Sequence, residues 1–177
     1  MFTETFFQEK NAAFHTEDVW LQTFFKLHVP SNYADDRSFK VQAVEALRGS
    51  TVYKQTKINA VDVESNLLNH ARLSPLTFYA LSVLHNVNVV VILGLISFCT
   101  LPKKIAEFQV CRGVVSKYVP RLALYVLPQV VKPLYAVSHY TVRELEAIAD
   151  HLRLPKGSKP YMHQGILEYV AHKFATF

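Results

Sequence analysis

Apolar residues recur along this chain with two different periods, and the switch falls near Asn86. Upstream, the spacing is helical. Thr16 can cap a segment that opens with Glu17 and Asp18, acids suited to the positive end of a helix dipole. Trp20, Phe24, Phe25 and Leu27 then form an apolar stripe that Pro30 and Ser31 bring to an end. A second helix fits residues 37–48, with Phe39, Val41, Val44 and Leu47 inward and Gly49 as its stop. Residues 51–58 alternate weakly and fit a strand or a loop. Asp62 can cap a third helix over residues 63–72. Ser74 and Pro75 read as N-cap and first residue of a fourth, which runs to about His85.

After Asn86 the pattern becomes that of strands. Residues 87–93 are a β-branched run, Gly94 follows, and residues 95–101 continue the apolar character up to Pro102. Two buried strands around a glycine turn are the preferred reading. Residues 80–101 are also long enough for a membrane span, with Lys103 and Lys104 as its flank, so that alternative stays open. Residues 113–119 and 121–127 have strand length and composition. Pro120, Pro128 and Pro133 punctuate them, which makes them short or edge strands. Thr141 and Glu144 spell a capping box, and Val142, Leu145, Ile148, Ala149 and Leu152 give the helix after it one apolar face. A loop over residues 154–159 leads to a last helix opened by Pro160, with Met162, Ile166, Tyr169 and Val170 inward. The expected fold is therefore α+β: N-terminal helices on a small, mainly antiparallel sheet, and a C-terminal helix–loop–helix. Residues 1–137 form the core domain and residues 138–177 the tail.

Charge divides the chain at the same point. The formal net charge is +5, yet residues 1–86 hold eight cationic and nine anionic side chains, whereas residues 87–177 hold eleven and five. The excess is a +6 confined to the second half, which suits a polyanionic partner. Cations also guard edge strands against aggregation, and Lys103, Lys117, Arg121 and Lys132 fit that plainer role too. Half of all residues are apolar and 19% are charged, so a sizeable core is expected.

Composition narrows the chemistry. Five glycines and no glycine-rich phosphate motif leave no nucleotide-binding loop. Two cysteines exclude a disulfide framework and a cysteine-based zinc cluster. The opening MFTETFFQEKNAAF lacks the features of a signal peptide, so an intracellular, reducing compartment is expected. His151 and His163 flank the C-terminal loop and could face each other, but no third ligand joins them at metal-binding spacing. Cys99 and Cys111 are the conceivable nucleophiles. Neither has a base or an oxyanion hole fixed beside it. No cofactor is implied and a non-enzymatic role is expected. Six of the nine tyrosines lie between residues 118 and 169, interleaved with cations. Exposed rings of this kind stack on bases while the cations meet phosphates.

Residues 140–170 resemble a SAP motif, a helix–extended loop–helix unit that typically binds duplex DNA. The matching features are Tyr140-Thr141-Val142 followed by Glu144-Leu145, then Leu154-Pro155, Lys159, and Met162 and Ile166 at the core positions. Arg153 stands where the family usually has glycine, His163 where it has an aliphatic residue, and Gly165 where it often has a cation. The wider arrangement resembles small uncharacterised proteins of large nucleocytoplasmic DNA viruses. That likeness implies a virus-encoded protein acting on the genome, in transcription or inside the particle. Together these readings predict a nucleic-acid-binding accessory protein, with DNA favoured over RNA. Arg143, Arg153, Lys156, Lys159 and Lys173 would meet phosphates from the tail, and Lys103, Lys104, Lys117 and Arg121 would extend the patch. The alternative is a structural or interaction protein, such as a minor virion component contacting other virion proteins.

Overall fold

The computed structural model describes residues 16–28, 35–120 and 123–176. Among them are seven α-helices and five strands, in the order α1 (Val19–Leu27), α2 (Asp36–Arg48), α3 (Val52–Thr56), α4 (Ala60–Asn69), α5 (Pro75–Leu84), β1 (Val89–Leu93), β2 (Ile96–Cys99), β3 (Phe108–Cys111), β4 (Val114–Lys117), β5 (Tyr125–Val126), α6 (Val142–Leu152) and α7 (Lys159–Thr176). A single 3-10 turn, Val137–His139, precedes α6. The fold is α+β.

Helix α1 begins two residues later than its acidic opening suggests, and Asp18 rather than Thr16 is its cap. Asp18 Oδ1 accepts from the N–H groups of Trp20 and Leu21 at 3.0 and 3.3 Å. Its Oδ2 accepts from Leu73 N–H at 2.8 Å, and the Lys40 ammonium lies 3.9 Å away. Asp18 and Lys40 are both buried. Thr16 turns instead to the Asp36 carboxylate.

In α2 the inward residues are Phe39, Lys40, Ala43, Val44 and Leu47, while Val41 is exposed. Two residues of helix are about 200° of rotation, so Phe39 and Val41 cannot share one narrow face. Lys40 fills the inward place because its ammonium reaches the carbonyls of His70 and Ala71 at 3.2 and 3.4 Å.

Residues 51–58 hold the short helix α3 rather than a strand. Val52 N–H donates to Ser50 Oγ, and the Thr56 hydroxyl donates back to Val52 O. The next helix is capped by Asn59, not Asp62. Ser74 caps α5, with Pro75 at its first turn.

Residues 80–101 form the end of α5 and the β1–β2 hairpin. Among the described residues no helix is long and apolar enough to cross a membrane. The hairpin closes through a two-residue turn, Gly94-Leu95, with Gly94 at φ +66. Glycine at the first central position is what such a turn requires.

The sheet is mixed rather than mainly antiparallel. Its order is β4-β3-β1-β2-β5, with antiparallel pairs β1–β2 and β3–β4 and parallel pairs β1–β3 and β2–β5. The second parallel pair arises because β5 joins the far edge. Only Tyr125 and Val126 of the 121–127 run pair as a strand. The β3–β4 turn, Arg112-Gly113, has both residues at positive φ, 51° and 75°. Gly113 also faces α1: Thr23 Oγ1 donates to its carbonyl at 3.1 Å, and a Cβ there would stand 2.2 Å from Val19 Cγ1.

Strand β1 is buried on both faces. Val89, Val91 and Leu93 join the main core, which also takes in the helices, including Leu145, Leu152, Met162, Ile166 and Val170 of the tail. Val90 and Ile92 face a second, smaller cluster with Ala106, bordered by Cys99, Cys111, Tyr118 and Leu124.

Within the helical layer Phe24 is fully buried and its ring lies within 6.3 Å of those of Phe25, Phe39 and Phe78. Two half-buried histidines border this group. His28 and His85 stack with centroids 4.4 Å apart, and Phe24 lies 5.7 and 5.5 Å from them. Burial lowers the pKa of both, and the charge of His28 lowers that of His85 further. The unfolded chain therefore takes up these protons first. The contribution is fully present above the ordinary histidine value of 6.5 and is lost as pH falls through the folded values. Urea unfolding midpoints are expected to drop between about pH 7 and pH 5, and His85→Phe to flatten that slope. An unchanged slope in the variant would assign the acid sensitivity elsewhere.

Candidate nucleic-acid interface

The tail is two helices joined by a loop that begins with a residue in a left-handed conformation. The capping box at its start is complete. Glu144 N–H donates to Thr141 Oγ1, and Thr141 N–H donates back to Glu144 Oε2 at 2.6 Å. These bonds from Thr141 hold the Glu144 carboxyl below its ordinary pKa, and the charges of His139 and Lys159 add to the effect. Lys159, at the start of α7, therefore lies near the start of α6, and the loop between them runs back along α6. The α6 end is a Schellman motif: Leu154 N–H donates to Ala149 O at 2.8 Å and Arg153 N–H to Asp150 O at 3.1 Å. Arg153 sits at φ +58, ψ +39, where the SAP pattern has glycine.

The candidate cations fall in separate places. Arg143, Arg153 and Lys156 are exposed on the tail, and Lys159 is half-buried. Lys156 pairs with Asp150 at 2.7 Å, with both side chains half or more exposed. Such a pair is worth little and yields readily to a phosphate. Lys173, near the end of α7, lies over the Tyr169 ring at 5.2 Å and beside Gly94. Lys103 and Lys104 are exposed at the other end of the β1–β2 hairpin, where Lys104 donates to Asn86 Oδ1 at 2.7 Å. Lys117 is exposed at the end of edge strand β4. Four interstrand spacings, about 19 Å, separate β4 from β5, the strand against which α6 packs. Arg121 lies outside the described residues. The tail thus carries Arg143 and Arg153 at opposite ends of α6, with Lys156 on the loop that returns along it and Lys159 at the start of α7, while Lys117 and the Lys103–Lys104 pair lie outside the tail.

A ring cluster lies at the start of the tail. Tyr135 and His139 lie 4.6 Å apart, Tyr135 and Tyr140 6.4 Å, His139 and Tyr140 5.7 Å, and Tyr140 and His163 6.0 Å. Burial pushes the hydroxyl pKa of Tyr125, on β5, up to about 12, with Tyr140 and Tyr135 adding to the shift. The interleaving of tyrosines and cations pointed to this region, but the part played by His139 and His163 did not emerge from spacing. His163 faces Tyr135 and Tyr140, and His151 Nε2 is buried without a partner. The two histidines therefore do not form the facing pair that the loop length suggested.

The other candidate chemistry is dispersed. Cys99 and Cys111 lie on the same sheet face, opposite Val90 and Ile92 of the strand between them, and both are free thiols. Burial pushes the Cys99 thiol pKa up, and its Sγ donates to Asn88 Oδ1 at 3.2 Å. That keeps it protonated and weakly nucleophilic at neutral pH. Among the described residues no group of three or more histidine, cysteine or acidic side chains converges as a metal site would.

Arg153→Gly relieves the left-handed strain and is expected to raise stability by about 1 kcal/mol, read from the urea midpoint at constant slope. A loss of stability would show that the arginine side chain contributes packing that outweighs the strain. Compared with protein-family models, with curated proteins and with solved structures, the chain matches none, so the chemistry of this interface is argued from its own residues.

Proposed function

We propose that this chain is a non-enzymatic, nucleic-acid-binding accessory protein that meets phosphates with its C-terminal helix–loop–helix. The observation that carries the reading is the set of exposed tail cations Arg143, Arg153 and Lys156, with Lys159 and the exposed His139 ring both close enough to act on Glu144 at the start of α6. Phosphate contacts supply most of the affinity in such complexes, and rings add contacts to bases. The SAP-like pattern of residues 140–170 supports the same role, and DNA is the favoured polymer on that ground. The likeness to proteins of large DNA viruses would place the chain on a viral genome, in viral transcription or inside the particle. Lys173, Lys103, Lys104 and Lys117 are secondary contacts in this reading because they stand apart from the tail group.

A second reading, a structural or interaction protein such as a minor virion component, is favoured by one feature. Val114 and Val126, on the two edge strands, are each 63% exposed, and Ile105, in the β2–β3 connection, is 94% exposed. Edge strands and apolar side chains in the open are what a protein partner would cover.

Filter binding over a range of salt concentrations tests the first reading. The logarithm of affinity is expected to fall linearly with the logarithm of salt, and Lys159→Ala to reduce the slope by about 0.7–0.9. Absence of binding at low salt, or binding indifferent to salt, would overturn it. Self-association of the pure protein, measured as mass in solution, would favour the second.

A further inference from the structure

We propose that the exposed ring of Tyr135 is a stacking platform for an unpaired base, so that the nucleic acid preferred at this interface is single-stranded. The proposal rests on the nucleic-acid reading above and specifies its substrate.

The backbone of Tyr135 is held at both of its polar groups by side chains. Its N–H donates to Tyr140 Oη at 3.0 Å, and its carbonyl bonds His163 Nε2 at 2.8 Å. A carbonyl only accepts, so Nε2 is the ring nitrogen that carries the proton. The side chain so held points outward: Tyr135 is 43% exposed, with the exposed His139 ring 4.6 Å away. A tyrosine serving the core would look like Tyr169, which is half-buried and accepts from Leu95 N–H with its hydroxyl. Fixing the backbone in advance lowers the ordering cost that a loop otherwise meets on binding.

The surroundings suit a strand of nucleic acid. Lys132 and Arg143 are exposed on either side in sequence, and Lys159 is close enough to act on Glu144. Phosphates flanking a stacked base would meet these cations. A duplex already stacks its bases on one another and offers a ring no free face, so the platform discriminates in favour of unpaired strands. The clamp also accounts for a departure from the SAP pattern. An aliphatic residue at position 163 could not hold the Tyr135 carbonyl, and histidine does.

The test is fluorescence anisotropy on the full chain with labelled oligo(dT), oligo(U) and a mixed-sequence duplex at one low salt concentration. One or both single strands are expected to bind more tightly than the duplex. Tyr135→Ala is expected to weaken single-strand binding about 5- to 150-fold, the range for loss of one stacked base, while duplex binding and the salt slope stay as they were. Tyr135→Phe should retain the affinity. His163→Leu should weaken the single-strand arm alone, and His163→Gln, which keeps a donor, should recover part of it. Thermal midpoints of the variants identify any that fail to fold. Equal affinity for duplex and single strands, or a Tyr135→Ala protein that binds single strands unchanged, would overturn the proposal and leave the nucleic-acid reading standing. Failure to bind any of the three probes would overturn both.

Discussion

The carboxylate of Asp18 is buried at the meeting point of three segments that are distant in sequence. One oxygen caps α1 through Trp20 and Leu21, and the other accepts from Leu73 N–H, just before the α5 cap. The ammonium of Lys40, from α2, stands 3.9 Å away and also bonds two carbonyls at the end of α4. A buried charge is tolerated only when its lone pairs and protons find partners, and removing one partner of such a pair typically costs about 3–5 kcal/mol. The requirement to satisfy Asp18 therefore fixes where α1, α2 and the α4–α5 connection meet. The phenylalanines of that layer pack around the arrangement.

The sheet depends on a different constraint, the double burial of β1. Val89, Val91 and Leu93 face the helices, and Val90 and Ile92 face the smaller cluster beneath. A one-residue slip would still place apolar side chains on both faces, so hydrophobicity alone does not set the register. The turn at Gly94 sets it on one side. On the other side β3 runs parallel to β1, and its position follows from the β2–β3 connection passing around the end of the hairpin.

That difference explains what could be read from the chain alone. The hairpin was legible because a β-branched run and a glycine turn are adjacent in sequence. Ser74-Pro75 and the Thr141–Glu144 box were legible for the same reason, since each is a contact between near neighbours. Strand β3 was not. Its four residues, Phe108 to Cys111, include a buried polar Gln109, whose amide nitrogen donates to Ser116 of the next strand. The inward turn of Lys40 likewise depends on carbonyls thirty residues away. The tail cations were legible from the basic second half and its SAP-like end, but whether they share a surface depends on the return of the loop along α6. The clamp on Tyr135 draws on residues 135, 140 and 163, and no window of sequence contains it.

The contact between α1 and Gly113 bears on how the chain is made. Thr23 and the turn carbonyl it bonds are ninety residues apart, and Asp18 and Leu73 are fifty-five apart. During synthesis the first helix emerges long before either partner exists. It can be helical early, but its seat on α2 and α5 must wait for Phe39, Leu73 and Phe78, and its contact with the β3–β4 turn comes later still. Contacts of such long range close late because the intervening chain must be ordered first. The earliest described element to be translated is thus among the last to be completed. Until Phe39 and Phe78 have followed, the faces of Phe24 and Phe25 are open to a chaperone or to another unfinished copy.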